Sequence, residues 1–329
     1  MRAKDLRIVF MGTPDLAAHI LHETFRAGYH VVAVVTAPDR PAGRGRKLKG
    51  SPVKEVASEL GIPVLQPEKL KSPAFIEALK ALKPDIQLVV AFRMLPEAVW
   101  SLPTLGTFNL HASLLPDYRG AAPINWVIIN GEKESGVTTF LIDQQIDTGN
   151  ILFREPIELD TWETAGSLHE KVKKAGAPLC MKTIDALATG KAKPIEQGKL
   201  IGPDQELEKA PKLYKEDCRI DWRRPCLSVV NHIHGLSPLP GAFFELESGS
   251  GEKIVLKLYS ARPISSETVH QPGTIVTDDK SFLHIACPDG YVDVLTLQMA
   301  GKKRMSTQEL LRGTSLADFK QVIKSPPNH

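Results

Sequence analysis

The chain has 329 residues, 42% of them hydrophobic and 24% charged, which is room for two domains or one large one and excludes wholesale disorder or a fibrous architecture. A net charge of +3, from 41 Lys+Arg against 38 Asp+Glu, is too mild to mark a nucleic-acid binder by itself, so local clusters must decide. The sequence holds no run of about 18 apolar residues. Its first residues, MRAKDLRIVF, carry neither a sustained apolar stretch nor a small-residue cleavage site. Four scattered cysteines, Cys180, Cys218, Cys226 and Cys287, form no C-x-x-C pair and have no histidine at zinc-finger spacing, so neither a disulfide framework nor a structural metal is indicated. No membrane span, no metal and a reducing cytoplasm are expected.

Residues Leu6 to Phe10 form a short apolar run that stops at Met11-Gly-Thr-Pro-Asp15, after which Leu16, Ala17, Ile20, Leu21 and Phe25 recur at helical spacing. This predicts strand, turn and helix. The β-branched run His30–Thr36 is of the kind buried on both faces of a parallel sheet. Further strands are predicted at 62–65, 85–91, 107–111 and 137–142, with helices at 52–60, 72–83, 94–100 and 122–130. Such alternation predicts an α/β fold, a doubly wound, Rossmann-like and mostly parallel sheet that binds ligands at the carboxyl ends of its strands.

A helix over 162–189 is followed by a polar, Gly- and Pro-punctuated stretch at 190–207 that reads as a linker. Beyond an amphipathic segment at 222–234 come short strands at 241–247, 254–260, 273–277, 282–287 and 292–298. Their spacing predicts a smaller β-barrel or sandwich. The expected organisation is a first domain at 1–189, a linker at 190–207, a second domain at 208–317 and a tail at 318–329.

The turn Gly12-Thr-Pro-Asp15 stands where a dinucleotide fold places G-x-G-x-x-G, yet has only the first glycine, which disfavours a nicotinamide cofactor. Asn109 and His111, two apart on a short strand, point to the same face. An amide N–H and an imidazole together suit an oxygen that gains negative charge. Asp147, in Ile146-Asp-Thr-Gly149 after an apolar run, could orient that imidazole and accept a proton from an attacking amine. Each residue also has a plain structural reading, as a satisfied polar group at a strand end or as an Asx-turn. With no Gly-x-Ser-x-Gly elbow, no reactive-cysteine context and no His/Glu metal spacing, direct acyl transfer between two bound substrates is favoured over a covalent acyl-enzyme or a metallohydrolase.

Between Asp39 and Pro52 lie Arg40, Arg44, Arg46, Lys47 and Lys49, with no further acid and with three glycines and two prolines. This composition predicts a mobile basic loop near strand ends, suited to phosphates, although a solvated surface loop has the same composition.

The motifs Phe10-Met-Gly-Thr-Pro-Asp15, Pro38-Asp-Arg-Pro-Ala-Gly-Arg-Gly45, Asn109-Leu-His-Ala-Ser-Leu-Leu-Pro116, Tyr118-Arg-Gly-Ala-Ala-Pro-Ile124, Ile146-Asp-Thr-Gly149, Ile220-Asp-Trp222 and Ala300-Gly-Lys-Lys303 together resemble the methionyl-tRNA formyltransferase family. The Asn-x-His, Ser-Leu-Leu-Pro and Asp-Thr-Gly set is shared by folate-dependent formyltransferases at large; the basic loop and the C-terminal domain single out the tRNA-modifying branch. The resemblance implies transfer of a formyl group from 10-formyltetrahydrofolate to the α-amine of methionine on initiator tRNA, by a cytoplasmic monomer. It also implies Asn109, His111 and Asp147 as the catalytic trio, Ser113, Leu114, Leu115 and Pro116 on the folate side, Arg40, Arg44, Arg46, Lys47 and Lys49 toward tRNA, and an OB-like C-terminal barrel. Two departures stand out: Phe92-Arg93 where the family often has Tyr-Gly, and the segment from His234 to Pro240, where it often has an Arg-Ala-Phe version. A sugar-nucleotide N-formyltransferase with the same folate donor is the alternative, and a non-catalytic RNA-binding protein is a rival from another class.

Overall fold

The computed structural model describes residues 2–42, 47–247, 251, 253–267, 270–316, 319 and 322. Two compact units are present. The first comprises Met1–Gly120, Glu134–Glu158 and His169–Lys209, and the second Ala121–Lys133, Leu159–Leu168 and Ala210–His329. The division is therefore not a single cut in the chain. Residues 190–207, expected as a linker, fall in the first unit.

The first unit is built on a seven-stranded sheet. Its strands are β1 (Ile8–Gly12), β2 (Val31–Val35), β3 (Val64–Leu65), β4 (Ile86–Val90), β5 (Thr107–His111), β6 (Glu134–Leu141) and β7 (Ile151–Glu158), in the spatial order β7-β6-β5-β4-β1-β2-β3. All five residues of β1 and of β4 are buried, the signature of central strands covered on both faces. Pairings from β3 across to β5 are parallel, and β6 and β7 add antiparallel edge pairings. Helices α1 (Asp15–Arg26), α2 (Pro52–Glu59), α3 (Pro73–Ala81) and α4 (Glu97–Trp100) connect the parallel strands. The architecture is thus the doubly wound, Rossmann-like sheet expected, with its strand order reversing between β1 and β4. β7 carries Arg154, Glu155, Pro156 and Glu158; proline and exposed charge belong on an edge strand.

Two close approaches set this sheet's connections. A Cβ on Gly12 would lie 2.5 Å from the Ala17 Cβ and 2.9 Å from the Val90 carbonyl oxygen, so the single glycine of the first turn serves close packing of strand and helix. On the long helix α6 (Ala165–Ala188), a Cβ on Gly176 would lie 2.7 Å from a Leu110 methyl, which brings that helix tightly against β5.

In the second unit the strands β8 (Ala242–Glu247), β9 (Lys253–Ser265), β10 (Ile275–Thr277), β11 (Leu283–Cys287) and β12 (Gly290–Met299) pair antiparallel in the order β8-β9-β12-β11-β10, with Met305–Ser306 added beside β12. The register of β9 against β12 shifts at Leu258/Ser260 and again at Ser260/Ala261; such bulges bend a strand, and the sheet curls into a half-barrel. Helix α7 (Cys226–Gly235) buries Val229, Val230 and Ile233 in the core that holds Phe244, Leu258 and Val292. The shorter helix α5 (Pro123–Ile129) joins it: the Asn125 amide donates to the Gly235 carbonyl at 2.7 Å, and a Cβ on Gly235 would meet Ile129 at 2.5 Å.

Candidate active site

β5 lies between β4 and β6, with Asn109 opposite Val89 and Phe140, and His111 opposite Thr138. Its pleat sends the two side chains to one face. His111 is 6% exposed, and its Nε2 lies 2.9 Å from the Tyr118 carbonyl oxygen. A carbonyl only accepts, so Nε2 carries a proton. That leaves Nδ1 as the ring position facing Asp147, whose Oδ2 is 3.8 Å away, short of hydrogen-bonding contact. The Phe140 ring meets the imidazole edge-on, with centroids 6.5 Å apart. Asn109 is half-buried, and its amide has no hydrogen-bond partner among the described residues. Donor capacity is thus left over on the face where the imidazole and carboxylate meet.

Asp147 sits in a turn after β6 with φ +56°, and Tyr118 has φ +60°. Left-handed backbone at non-glycine residues collects at functional turns. The Gly120 N–H donates to Asp147 Oδ2 at 3.0 Å. Below the turn, the Gln197 Nε2 donates to the carbonyls of Asp147 at 2.9 Å and Gly149 at 2.8 Å. Gly149 is required here, since a Cβ would lie 1.7 Å from the Leu141 carbonyl oxygen. Sequence reasoning missed Gln197; its segment is polar and punctuated, with no periodicity to distinguish it from a surface connection.

The loop after β5 is held from inside. Thr138 Oγ1 donates to the Ser113 carbonyl at 2.6 Å and accepts from the Leu115 N–H at 3.1 Å. The Ser113 hydroxyl donates to the Asp117 carbonyl at 2.7 Å, and Arg154 donates to the Leu115 carbonyl at 2.9 Å. Leu115, fully buried, packs with Phe140 and Ile151. Leu114 lies over Gly136, where a Cβ would come within 2.3 Å of its methyl, and Pro116 is buried after a cis peptide bond. These residues give the strand end a rigid wall.

Residues 6–184 match the family described as formyl transferase, and residues 212–315 match the formyl transferase C-terminal domain. The chain belongs to the formyl transferase family. It is 50% identical over 320 residues to the methionyl-tRNA formyltransferase of Bacteroides thetaiotaomicron, covering 97% of this chain and 98% of that one. To the methionyl-tRNA formyltransferase of Bacteroides fragilis it is 51% identical over 318 residues, with 97% and 98% covered. In fold it is similar to HypX from Aquifex aeolicus, solved in complex with tetrahydrofolic acid, at a TM-score of 0.62 and 20% identity over 96% of this chain and 48% of that one.

In this formyl transferase the two arms of the basic segment after β2, expected as a loop, are paired. Arg40–Ala42 and Lys47–Lys49 pair antiparallel as a short ribbon, with Arg40 opposite Lys49 and Pro41 opposite Leu48. Asp39 anchors its foot: Lys54 Nζ lies 2.6 Å from Oδ2 and the Gln66 amide donates to Oδ1 at 2.8 Å. Those bonds, Gln66 first and Lys54 second, hold its carboxyl below the usual range. Arg40 and Lys49 are exposed. Arg44 and Arg46 lie outside the described residues, as does the side chain of Lys47.

Both family departures receive a structural role. The Arg93 guanidinium donates to the carbonyls of Pro67 at 2.8 Å and Glu68 at 3.0 Å, tying the end of β4 to the segment after β3. His234 is buried and accepts the Ala261 N–H on Nε2 at 3.3 Å, so it belongs to the interior of the second unit. Elsewhere Asp15, His169 and Glu170 bring ligand-type atoms together, but Lys173 forms ion pairs with both carboxylates and supplies the positive charge that such a cluster needs.

Proposed function

We propose that this chain transfers a formyl group from 10-formyltetrahydrofolate to the α-amine of methionyl initiator tRNA, and so supports translation initiation in the cytoplasm, acting as a monomer. The observation that carries the chemistry is the His111–Asp147 approach at 3.8 Å on the strand face that also presents an uncommitted Asn109 amide. The choice of acceptor is supported by relatives about half identical over nearly the whole chain, both named methionyl-tRNA formyltransferase, and by the match to the formyl transferase C-terminal domain. An amino-sugar nucleotide, the alternative acceptor, has no need of a basic ribbon. Among the described residues no helix is long and apolar enough to cross a membrane.

The chemistry follows from donors and acceptors at the site. The neutral amine attacks the formyl carbon; an N–C bond forms while an electron pair moves onto the formyl oxygen. The Asn109 amide and the Nδ1–H of protonated His111 receive that charge. Asp147 takes the proton that the amine must lose, directly or through water. The bond between the formyl carbon and the donor nitrogen then breaks, and that nitrogen keeps the electron pair and gains a proton. Ser113, Leu114, Leu115 and Pro116 are assigned to the folate side, on a loop that Thr138 and Arg154 hold in place by hydrogen bonds. Holding both substrates in place supplies the rest of the rate.

On the tRNA side, Arg40 and Lys49 face each other across the ribbon. Like charges directly opposite repel, and a phosphate between them removes the repulsion. In sequence, Arg44, Arg46 and Lys47 add three more cations to the same segment. Formylation assays with charged initiator tRNA and with an amino-sugar nucleotide, run side by side with formyl-labelled donor, test the proposal. Label on methionyl-tRNA alone is expected; label on the sugar alone would overturn it.

A further inference from the structure

One buried side chain grips the Asp147 turn from behind, and the reaction as described does not use it. Gln197 is 3% exposed. Its Nε2 donates to the Asp147 carbonyl at 2.9 Å and the Gly149 carbonyl at 2.8 Å, while its Oε1 accepts from Arg119 Nε at 3.0 Å and Nη2 at 2.6 Å. Both donors and both lone pairs of the amide are thereby used. Arg119 directly precedes Gly120, whose N–H binds Asp147 Oδ2 at 3.0 Å. A single amide therefore holds the backbone of Asp147 on one side and, on the other, the short segment that supplies the hydrogen bond to its carboxylate. Gln197 reaches this position because Ile195 and Ile151 exchange two backbone hydrogen bonds of 2.8 Å, which pins the segment against β7.

The residue type is informative. Were the contact only a partner for Arg119, a glutamate would make the stronger, charge-assisted pair. A carboxylate would, however, set negative charge against two carbonyl oxygens and beside Asp147. Only a side chain with an acceptor on one atom and a donor on the other satisfies both neighbours. Asp147 holds a left-handed backbone at φ +56°, a conformation that persists only when its surroundings enforce it, and the Gln197 amide supplies that enforcement.

We propose that Gln197, together with Arg119, is a positioning residue for formyl transfer: it fixes the Asp147 turn so that the carboxylate meets His111 and the attacking amine. The inference rests on the formyl-transfer reading of Asp147. Gln197→Glu tests it, because this variant keeps a partner for Arg119 and removes the donors to Asp147 and Gly149. For the full chain, kcat for methionyl-tRNA is expected to fall about tenfold to a hundredfold, the usual effect of a small misplacement of a reacting group, with KM for tRNA and folate within about twofold. Protonation of the introduced carboxylate restores one donor, so the kcat deficit relative to the parent chain is expected to narrow as pH falls. Amide hydrogen exchange over residues 145–149 is expected to speed up. Should Gln197→Glu fail to fold, Gln197→Asn, with the amide one methylene short, is expected to show the same split between kcat and KM. An active parent chain with an unchanged kcat in the variant, a loss confined to KM, or unchanged exchange over 145–149 would each overturn the role of Gln197. A parent chain that fails to formylate methionyl-tRNA would instead overturn the activity reading, and the exchange measurement decides the grip on the turn in either case.

Discussion

The imidazole of His111 is bonded through Nε2 to the carbonyl of Tyr118 at 2.9 Å. The bond decides which end of the ring can meet a substrate. With Nε2–H engaged by a backbone acceptor, Nδ1 is the position that faces Asp147, and any hydrogen bond from His111 to a reacting oxygen leaves from Nδ1. Tyr118 is itself held by a 2.7 Å bond from its N–H to the Glu208 carbonyl, so the acceptor that orients the ring has little freedom.

This orientation predicts an unequal outcome for two replacements of His111. Asparagine places its amide nitrogen near the position of Nδ1, whereas glutamine places its own near Nε2. His111→Asn is expected to retain roughly tenfold more activity than His111→Gln, with both well below the parent chain, since loss of a positioned proton-bearing group costs about 10²–10⁴-fold. Single-turnover formylation rates check the order. Equal rates, or the reverse order, would remove Nδ1 from the mechanism.

Asn109 is the cleaner test of charge stabilisation, because its amide bonds to nothing else among the described residues and its removal disturbs no internal hydrogen bond there. Asn109→Ala is expected to lower kcat by about 10²–10³-fold, the usual cost of losing one oxyanion donor. Thermal stability should stay close to that of the parent chain. Unchanged turnover would show that the amide stands idle during transfer.

The ribbon after β2 makes a prediction about salt. Each phosphate neutralised by a cation releases counterions, and for duplex nucleic acid the logarithm of affinity falls with the logarithm of salt by about 0.9 for each contact. Replacing Arg40 and Lys49 by alanine, and in a second variant Arg44, Arg46 and Lys47, is expected to raise KM for tRNA and to flatten its salt dependence. KM for folate should not move. A salt slope equal to that of the parent chain would assign the ribbon to ordinary solvated surface.

Much of this architecture was legible in the sequence because it is written in burial. The runs Leu6–Phe10, His30–Thr36 and Asp85–Ala91 read as strands since β-branched and apolar residues repeat with little interruption. Helices 52–59, 73–81 and 123–129 begin at prolines in the first turn, a strong local start signal. The shared strand face of Asn109 and His111 and the turn that holds Asp147 were legible through strand periodicity and turn chemistry. What escaped lacks such a signature. β7 mixes Ile151, Leu152 and Phe153 with Arg154, Glu155 and Pro156, as an edge strand does. The paired arms around Arg40 and Lys49 are short and cationic, and cations carry little strand preference. The part proposed for Gln197 depends on hydrogen bonds to residues 48, 50 and 78 positions away, and no local pattern encodes a contact of that kind.

Stability should fall with acid through the second unit. His232 lies on α7 with its Nε2 buried and, among the described residues, unbonded. Burial first, and the nearby Arg224 second, depress its pKa to about 4 from an ordinary value of 6.5, against smaller opposing effects of the Cys218 backbone and Asp217. The folded chain keeps this imidazole neutral while the unfolded chain protonates it below pH 6.5, so the unfolded state binds more protons between about pH 6.5 and 4. The contribution of His232 is complete above that window, is lost progressively as pH falls through it, and is constant below. Its full size is about 3 kcal/mol, from a pKa difference of roughly two and a half units at about 1.36 kcal/mol each. Burial lowers His234 as well, which adds in the same direction. Denaturant midpoints measured from about pH 7.5 to about pH 4 are expected to decline more steeply for the parent chain than for His232→Leu, and equal slopes would show that this histidine is already charged in the folded protein.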